Sequence, residues 1–553
     1  MSPYVEILNQ NNYAPQRGAG ELGQPVYLPD FEAARAKTLY HVNKFNILAS
    51  DRISVNRSLP DPRKESCRKL MYDLRNLPDA SVIIVFHNEA WSTLLRTVHS
   101  VINRTPKKIL KEIILVDDAS DREFLKKPLN DYIDNVLNAP TSKWSPVRLL
   151  RSENRTGLIR ARLIGAAQAQ GSVLTFLDAH CEVTIGWLEP MLNRISNDRS
   201  TVVCPVIDII SEDTFAYAKS FELHWGGLNW NLHFRWFPIG QRELRAKQVR
   251  AKAAGGGDTD PYKTPIMAGG LFAIDRNYFY QIGSYDEEMD IWGGENIEMS
   301  LRIWQCGGRI EISPCSHVAH LFRKASPYTF PREGGVAGVL YTNLARVIDV
   351  WMDEYKSFFY EINPIAKKTI FGDDGQHHVK LRNIETRRQL KKKLECKPFS
   401  WFLKEVWPEN FFPANDRFFG QIKSSAVASC LQRPNAKNVV GGHPVGRAEL
   451  EPCAIETYSA QAFVYTKTGF LMTDESVCLD VTDPRPGAPV MMLACAEFER
   501  QKWRYETDRR HLIHIQSGLC ATVDSRTDKQ VTVARCSSYT GGQRWDMVPI
   551  DWK

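Results

Sequence analysis

Apolar residues in the first two thirds of the chain follow two spacings. Four short runs of strand length are largely apolar, at residues 81–86, 112–116, 147–150 and 172–177. Between them, Leu94, Val98 and Ile102 recur at helical spacing, and residues 158–169 form a second helical run. Strands that alternate with helices along a chain are typical of a mostly parallel sheet of the nucleotide-binding kind. This part of the sequence therefore predicts an α/β domain.

The last quarter of the chain contains a threefold repeat. Each unit has two cysteines followed by Gln-x-aromatic, and the cysteine pairs are Cys430 and Cys453, Cys478 and Cys495, and Cys520 and Cys536. The aromatic residues are Phe463, Trp503 and Trp545, which we expect to share one core. Three repeats of about forty residues predict a threefold all-β module. A disulfide within each unit would stabilise the module by about 2–4 kcal/mol.

The regions outside these patterns suggest the domain boundaries. Residues 1–65 are polar and irregular, which favours an extended arm, and the segment 396–421 is rich in aromatic residues and proline. We therefore expect the α/β domain over 66–415, a linker over 416–426 and the all-β module over 427–553.

Composition and charge exclude some classes of protein. The 553 residues are 43% hydrophobic and 24% charged, with a net charge of +7, as in ordinary globular proteins. The basic runs at 242–252 and 387–393 are expected to be exposed helix faces or linkers, so no nucleic-acid partner is expected. No apolar run reaches the length of about eighteen residues that a membrane span needs, and the amino end lacks a signal-peptide pattern. Any membrane attachment is expected through an amino-terminal anchor absent from this chain.

Cysteine usage favours an oxidising compartment. The chain has twelve cysteines and no Cys-x-x-Cys motif, so disulfides are favoured over zinc sites. The sequons at Asn56 and Asn103 are compatible with such a compartment.

The strand expected at 172–177 runs into Asp178-Ala179-His180. Side chains two apart on a strand share a face, so the carboxylate and the imidazole would point the same way. At the carboxyl edge of an α/β sheet, where such folds bind ligands, this pair is half of a metal site. On its own, however, the triplet is more typical of a capped strand end.

Several motifs together resemble those of the polypeptide N-acetylgalactosaminyltransferases, which start mucin-type O-glycosylation. The matching segments are 86–90, 116–120, 177–182, 292–296, 302–308, 315–320 and 323–328. The repeats resemble the ricin-type β-trefoil lectin of the same family, and the two resemblances cover about residues 66–553. They imply a GT-A type catalytic domain followed by a lectin domain. They also imply a retaining transfer of N-acetylgalactosamine from UDP-GalNAc to Ser or Thr hydroxyls of peptides or glycopeptides.

The resemblance implies a manganese site. Its ligands would be Asp178, His180 and His320, and the family pattern favours His320 over the neighbouring His317. One carboxylate and two imidazoles suit Mn²⁺, which would neutralise the leaving diphosphate.

Donor-binding residues follow from the same motifs. The family pattern implies that Asp118 contacts the uridine and that Arg155 binds the donor, whereas Asp117 has the ordinary role of a strand-end cap. Arg323 would clamp the diphosphate and Tyr328 would lie beside it. Both lie in the segment 322–335, which is typical of a mobile lid.

The catalytic candidates are concentrated in the segment 292–296. They are Trp292, Glu295 and Asn296, together with Arg323, and Trp292 is also a candidate for substrate binding. A retaining mechanism by double displacement needs a carboxylate nucleophile, and Glu295 and Asp286 are the nearby candidates. The alternative is front-face attack with the leaving phosphate accepting the hydroxyl proton, and the sequence leaves both open.

Two further disulfides, Cys67–Cys315 and Cys306–Cys396, are implied by the family, with Cys181 and Cys204 free. An aromatic cluster could be either core or a groove for an extended acceptor peptide; it comprises Phe221, Trp225, Trp230, Phe234 and Trp236.

Sugar binding by the lectin module would depend on an aspartate two residues after the first cysteine of a repeat. Only Asp480 meets that pattern, because Gln432 and Thr522 replace it in the other repeats and Arg500 replaces the usual Asn before Gln501. GalNAc binding through Asp480 and a purely structural lobe both stay open.

The expected location is the Golgi lumen. The alternative functions are a catalytically inactive lectin-like binding protein, or the same chemistry with another UDP-sugar.

Overall fold

The structure is a computed structural model. It describes residues 17–140, 146–254, 257–332, 334–372, 379–434, 439–440, 443–457 and 459–553. The chain forms two compact units. The first is built from the stretches up to Trp225, Gln241–Val350 and Leu381–Lys397, and the second from Gly226–Gly240, Trp351–Lys380 and Pro398–Lys553.

The first unit contains a large mixed sheet. The strands of this part of the chain are β1 Ala80–Phe86, β2 Leu110–Asp117, β3 Val147–Arg151, β4 Val173–Asp178, β5 Cys181–Val183, β6 Thr201–Ile210, β7 Tyr217–Ala218, β8 His224–Leu228, β9 Phe234–Pro238, β10 Tyr262–Lys263, β11 Phe272–Asp275 and β12 Arg309–Leu321. Their order in the sheet is β10-β12-β6-β11-β4-β1-β2-β3, with β5 on β12 and β7 on β6. The strands β8 and β9 pair separately, and β9 and residues 226–228 of β8 belong to the second unit.

Helices alternate with strands from β1 to β4, as predicted, and further helices lie before and after this part of the chain. The helices are α1 Ala33–Asn43, α2 Ile47–Arg52, α3 Glu65–Arg68, α4 Trp91–Arg104, α5 Lys127–Tyr132, α6 Leu158–Gln168, α7 Glu189–Asn197, α8 Gln241–Ala254, α9 Arg276–Gln281, α10 Glu295–Gln305, α11 Gly335–Trp351, α12 Tyr355–Ile362, α13 Pro364–Phe371, α14 Ile384–Lys393 and α15 Phe399–Trp401. The apolar run predicted around Leu94 lies in α4, which is buried along almost its whole length.

The sheet brings several strand ends to one edge. β1, β2, β3 and β4 are parallel, and β11 is antiparallel to its neighbours β4 and β6, so that β4, β6 and β12 all run in the same direction. The carboxyl ends of β1, β2, β4 and β12 therefore lie at the same edge. This is the edge at which α/β sheets bind their ligands.

The amino-terminal region differs from the extended arm expected over 1–65. It contains α1 and α2, and its apolar residues Val26, Phe45 and Ile53 are buried in a cluster with Ile210 and Leu321. The amino-terminal region packs on the sheet because of the hydrophobic effect, since these residues cover apolar side chains at the ends of β6 and β12 that would otherwise be exposed.

The second unit contains the repeats. Its strands are β13 Phe418–Ser424, β14 Ser429–Gln432, β15 Val439–Val440, β16 His443–Pro444, β17 Gly446–Arg447, β18 Glu449–Pro452, β19 Phe463–Tyr465, β20 Leu471–Thr473, β21 Val477–Asp480, β22 Met491–Ala494, β23 Trp503–Glu506, β24 His511–His514, β25 Cys520–Val523, β26 Val531–Ala534 and β27 Trp545–Pro549. Phe463, Trp503 and Trp545 are buried together in one core, as their repeat positions predict. The segment expected as a linker over 416–426 includes β13, which pairs with β27.

Five disulfides join the expected cysteines. They are Cys67–Cys315, Cys306–Cys396, Cys430–Cys453, Cys478–Cys495 and Cys520–Cys536. Cys181 and Cys204 are free and buried, as expected. No helix in the described residues is both long enough and apolar enough to cross a bilayer.

Candidate functional site

Asp178, His180 and His320 lie together at the carboxyl edge of the sheet. Each offers a ligand atom, and these atoms all lie within 4.8 Å of one another. β4 ends at Asp178, and the antiparallel pairing of β5 with β12 places His320 opposite Cys181, next to His180. The competing candidate His317 is fully buried, and its Nδ1 lies 2.9 Å from an oxygen of Asp208.

A buried arginine orients the aspartate of this cluster. Arg162 donates to Asp178 Oδ1 at 3.1 Å and to the carbonyl oxygens of Gly269 and Gly270 at 2.6 and 3.0 Å. Burial alone would raise the pKa of Asp178, but the hydrogen bond from His320 and the charge of Arg162 hold it well below its ordinary value. Asp178 is therefore a carboxylate at neutral pH.

The two imidazoles are suited to bind a cation. Burial, reinforced by the charge of Arg323, lowers the pKa of His180 to about 4, so its ring is neutral at physiological pH. His320 Nε2 lies 3.3 Å from Asp178 Oδ2, and His320 Nδ1 is buried with no hydrogen-bond partner among the described residues. One carboxylate and two imidazoles in such proximity fit a divalent transition metal.

Glu89 is a residue of this site that the sequence motifs did not identify as functional. Its carboxylate lies 3.0 Å from His180 Nδ1 and accepts a hydrogen bond from Arg323 at 2.6 Å. It is 1% exposed. The sequence could have indicated Glu89 by its position three residues beyond the end of β1, since that strand also ends at the ligand-binding edge.

The loop before α6 is bound to Asp118. The Asp118 carboxylate is fully buried and accepts from Thr156 N at 2.6 Å, from Thr156 Oγ1 at 2.7 Å and from Gly157 N at 2.8 Å, and it also pairs with Arg155. In this structure Asp118 therefore organises the loop that carries Arg155. Asp117 accepts from Ser120 N at 2.8 Å, which is the capping role expected for it.

Arg155 and Arg323 flank the ring of Tyr328. Their guanidinium carbons lie 5.9 and 5.7 Å from the ring centroid, and Arg323 Nη1 donates to the Tyr328 hydroxyl at 3.3 Å. The Nε atoms of both arginines are buried without a hydrogen-bond partner among the described residues. Two cationic groups with unused donors are suited to an anionic ligand such as a diphosphate.

The segment from Trp292 to Asn296 forms a tight turn into α10. Trp292 is 52% exposed, and Gly293 and Gly294 have φ values of 102° and 84°, in the left-handed region that glycine adopts without strain. The Glu295 carboxylate accepts from Gly293 N at 2.7 Å, and burial raises its pKa. Asn296 donates to the Met267 carbonyl at 3.0 Å.

Both carboxylates that were considered as nucleophiles already have hydrogen-bond partners. Glu295 is bound to the turn as described, and both oxygens of Asp286 are paired with Arg346 at 2.8 and 2.9 Å.

The residues of the aromatic cluster differ in how deeply they are buried. Trp225 and Trp230 are buried, Phe221 is 83% exposed, and Phe234 and Trp236 are partly exposed.

Family models match most of the chain. Residues 81–283 match glycosyl transferase family 2, residues 259–324 match the N-terminal domain of galactosyltransferase, and residues 418–545 match the ricin-type beta-trefoil lectin domain. The human protein polypeptide N-acetylgalactosaminyltransferase 13 is 48% identical over 535 residues, which cover 96% of this chain and 89% of the relative. The chain belongs to the polypeptide N-acetylgalactosaminyltransferase family. Polypeptide N-acetylgalactosaminyltransferase 3 of Drosophila melanogaster is 43% identical, with 99% of this chain and 88% of the relative covered.

A solved member of the polypeptide N-acetylgalactosaminyltransferase family has a similar structure. The crystal structure of GalNAc-T7 with UDP, GalNAc and Mn²⁺ matches with a TM-score of 0.63 and 34% sequence identity. The match covers 98% of this chain and 95% of that chain. The GT-A type catalytic fold and the β-trefoil lectin domain are thus the architecture of this member of the family.

In the lectin module of this transferase, the Asp480 side chain is fully buried and paired with Arg500, whose Nε lies 3.1 and 3.0 Å from the two carboxylate oxygens. The Arg500 guanidinium also stacks on Phe498, 4.4 Å from the ring centroid. In the first and third repeats, the equivalent positions Gln432 and Thr522 each accept a hydrogen bond from the glutamine of their repeat at 3.0 Å. The three candidate sugar-binding positions therefore all have internal partners.

Proposed function

We propose that this protein transfers N-acetylgalactosamine from UDP-GalNAc to Ser or Thr hydroxyls of polypeptides, with retention of configuration and with Mn²⁺ as the cofactor. The observation that carries the proposal is the joint presence, at one sheet edge, of a metal-binding cluster and two arginines with unused donors. That combination fits a nucleoside diphosphate-sugar, and it occurs in a chain of the transferase family.

Asp178, His180 and His320 would hold the cation, and Mn²⁺ is proposed because the related GalNAc-T7 was crystallised with it. A divalent cation supplies charge neutralisation for the leaving diphosphate. Arg155, Arg323 and Tyr328 would bind the diphosphate. Asp118 is proposed to contact the uridine as well as to hold the loop that carries Arg155.

The segment 322–335 is proposed as a lid over the donor. From Phe322 to Arg332 the described chain has no helix or strand, and it contributes both Arg323 and Tyr328. Closure of such a lid excludes water and so favours transfer over hydrolysis.

The acceptor hydroxyl is proposed to attack from the face that the diphosphate leaves, with a phosphate oxygen accepting its proton. Glu295 and Asp286 are both engaged in hydrogen bonds that shape the protein, which makes a glycosyl-enzyme intermediate on either unfavourable. Trp292, Glu295, Asn296 and Arg323 then act by positioning the sugar and the diphosphate. A covalent adduct at Glu295 or Asp286 under single-turnover conditions, detected by peptide mass mapping, would contradict this order of events.

Acceptors are proposed to be peptides and glycopeptides that contain Ser or Thr. The exposed Phe221 and the partly exposed Phe234 and Trp236 are candidates for contacts with an extended peptide. The lectin module is proposed to steer the enzyme to glycosylated substrates by binding GalNAc at Asp480, and the sugar would have to displace Arg500 from that carboxylate. Free GalNAc should then slow transfer to glycopeptides more than transfer to unglycosylated peptides, and equal slowing would contradict the lectin role.

We propose that the catalytic domain covers 66–415, that the lectin domain begins with β13 rather than at residue 427, and that the protein is located in the Golgi lumen. The five disulfides support an oxidising compartment.

A transfer assay tests the proposal. Purified protein is incubated with a panel of UDP-sugars and mucin-like peptides, with and without EDTA, and with added Mn²⁺ after chelation. Transfer from UDP-GalNAc should stop with EDTA, return with Mn²⁺ and fall below about 1% of wild type in the variant Asp178→Asn, because a metal ligand is lost. Transfer that EDTA does not change would refute the metal role. A preference for another UDP-sugar would refute the donor assignment, and donor binding without transfer would support an inactive binding protein.

A further inference from the structure

The two oxygens of the Glu89 carboxylate have different partners. Oε1 accepts from Ala90 N at 2.9 Å and lies 3.4 Å from the Asn43 amide nitrogen. Oε2 lies 3.0 Å from His180 Nδ1 and 2.6 Å from Arg323 Nη2. One oxygen thus attaches the carboxylate to the turn before α4, and the other is shared by two residues of the site.

The shared oxygen determines how His180 is presented. A carboxylate is only an acceptor, so Nδ1 must carry the proton and Nε2 keeps its lone pair for a cation. The carboxylate also limits rotation of the ring, because the contact is buried and Glu89 is itself bound through Oε1.

The same oxygen holds the guanidinium of Arg323. Arg323 Nη2 lies only 3.2 Å from His180 Nδ1, and two hydrogen-bond donors at that distance repel each other unless an anion lies between them. Glu89 is that anion, and the charge of Arg323 with the hydrogen bond from His180 outweighs burial and lowers the pKa of Glu89 to about 2. With Nη2 on Glu89 and Nη1 on Tyr328, the Nε of Arg323 is left over for a ligand.

We propose that Glu89 is a positioning residue that couples the cation-binding imidazole of His180 to the diphosphate-binding guanidinium of Arg323. The inference rests on the proposed function, since it concerns the same cation and diphosphate. Because one carboxylate oxygen orients both groups, losing Glu89 weakens cation binding even without nucleotide. It also weakens nucleotide binding through Arg323.

The first test measures Mn²⁺ binding alone, by electron paramagnetic resonance of free Mn²⁺, in the full chain. The isosteric variant Glu89→Gln should raise the Kd by about 10–100-fold, the usual effect of removing a partner of a metal-ligating histidine. Glu89→Asp keeps the charge at a shorter reach and should give an intermediate Kd.

Glu298→Gln is the matched control. Glu298 is also 1% exposed, pairs with Arg302 and Arg387, and has its pKa lowered to about 2, but it contacts none of the three cluster residues. It should lower the thermal midpoint as Glu89→Gln does, yet leave the Mn²⁺ Kd within about twofold of wild type.

The second test is a double-mutant cycle of Glu89→Gln and Arg323→Lys on UDP affinity at saturating Mn²⁺, by calorimetry. The fold-loss of UDP affinity in the double variant should be smaller, by more than about twofold, than the product of the fold-losses in the two single variants. The reason is that Glu89 acts on UDP through Arg323. If Glu89→Gln binds Mn²⁺ with the wild-type Kd, or if the two substitutions act independently on UDP affinity, this inference is overturned but the proposed function is not. A wild-type protein that binds neither Mn²⁺ nor UDP would instead overturn the proposed function.

Discussion

The close approach of Gly270 to Asp178 allows a sharp test of the proposed metal site. A Cβ added at Gly270 would lie 2.6 Å from Asp178 Oδ2, whereas ordinary contact begins at 3.4 Å. The carboxylate oxygen would therefore have to move by 0.8 Å, the difference between these two distances. Gly270 does not have a left-handed φ, so alanine introduces contact without backbone strain.

The expected effect of Gly270→Ala is on cation binding rather than on folding. Metal–ligand distances tolerate about 0.2 Å, so the displaced oxygen no longer fits a cation held by His180 and His320. We expect the Mn²⁺ Kd to rise about 10–100-fold, which corresponds to about 1.4–2.8 kcal/mol. The thermal midpoint should change little, because the displaced atom is the end of a side chain.

Gly165→Ala is the matched control, measured in the same Mn²⁺-binding and thermal-unfolding assays. Its Cβ would lie at the same 2.6 Å distance, but from Ile83 Cγ2, in the apolar packing of α6 on β1. Overpacking there should cost about 1–3 kcal/mol of stability and leave the Mn²⁺ Kd unchanged. The reasoning is refuted if Gly270→Ala binds Mn²⁺ like wild type, or if both variants weaken binding equally.

Three further predictions follow from the contacts described. Asp118→Asn should weaken UDP binding by calorimetry about tenfold or more, because the loop of Arg155 loses charged hydrogen bonds; unchanged affinity would contradict that role. Cys67→Ser should reduce the free energy of unfolding in urea by about 2–5 kcal/mol, since its disulfide spans 248 residues; a smaller loss would mean that packing alone holds that segment. Glu298 has its pKa lowered from 4.5 to about 2, so its stabilisation is complete above pH 4.5 and is lost as the pH falls towards 2. As the pH falls over that range, the thermal midpoint of Glu298→Gln should therefore fall less steeply than that of the wild-type protein. Parallel curves of thermal midpoint against pH for the two proteins would argue against the ion pairs.

The local pattern of apolar and polar residues was sufficient to predict the strands that carry the site. The apolar runs predicted β1 to β4 within a residue or two, and the repeated cysteines and aromatic residues predicted a threefold all-β module with a shared core. Both depend on side-chain periodicity, which is a property of neighbouring residues. The amino-terminal helices and β13 were missed because their apolar residues lack a regular period and are buried only by distant partners.

The partners of charged residues were less predictable. The sequence indicated a nucleotide contact for Asp118, but not the hydrogen bonds that its carboxylate accepts from residues 155–157, and it did not indicate the pairing of Asp286 with Arg346. A carboxylate at a strand end has the same local sequence whether it faces a ligand or a neighbouring loop. The choice is made by the loop that packs against it.

By itself, the sequence determined that Asp178 closes a strand at the ligand-binding edge and that His180 follows two residues later, and the family motifs added His320. The tertiary structure decided how these residues meet, through the pairing of β5 with β12 and the parallel course of β4, β6 and β12. It also decided that Glu89 joins His180 and Arg323, which are 91 and 234 residues away from it. Strand order and register set such contacts, and they result from the packing of the whole sheet, which no local spacing of residues encodes.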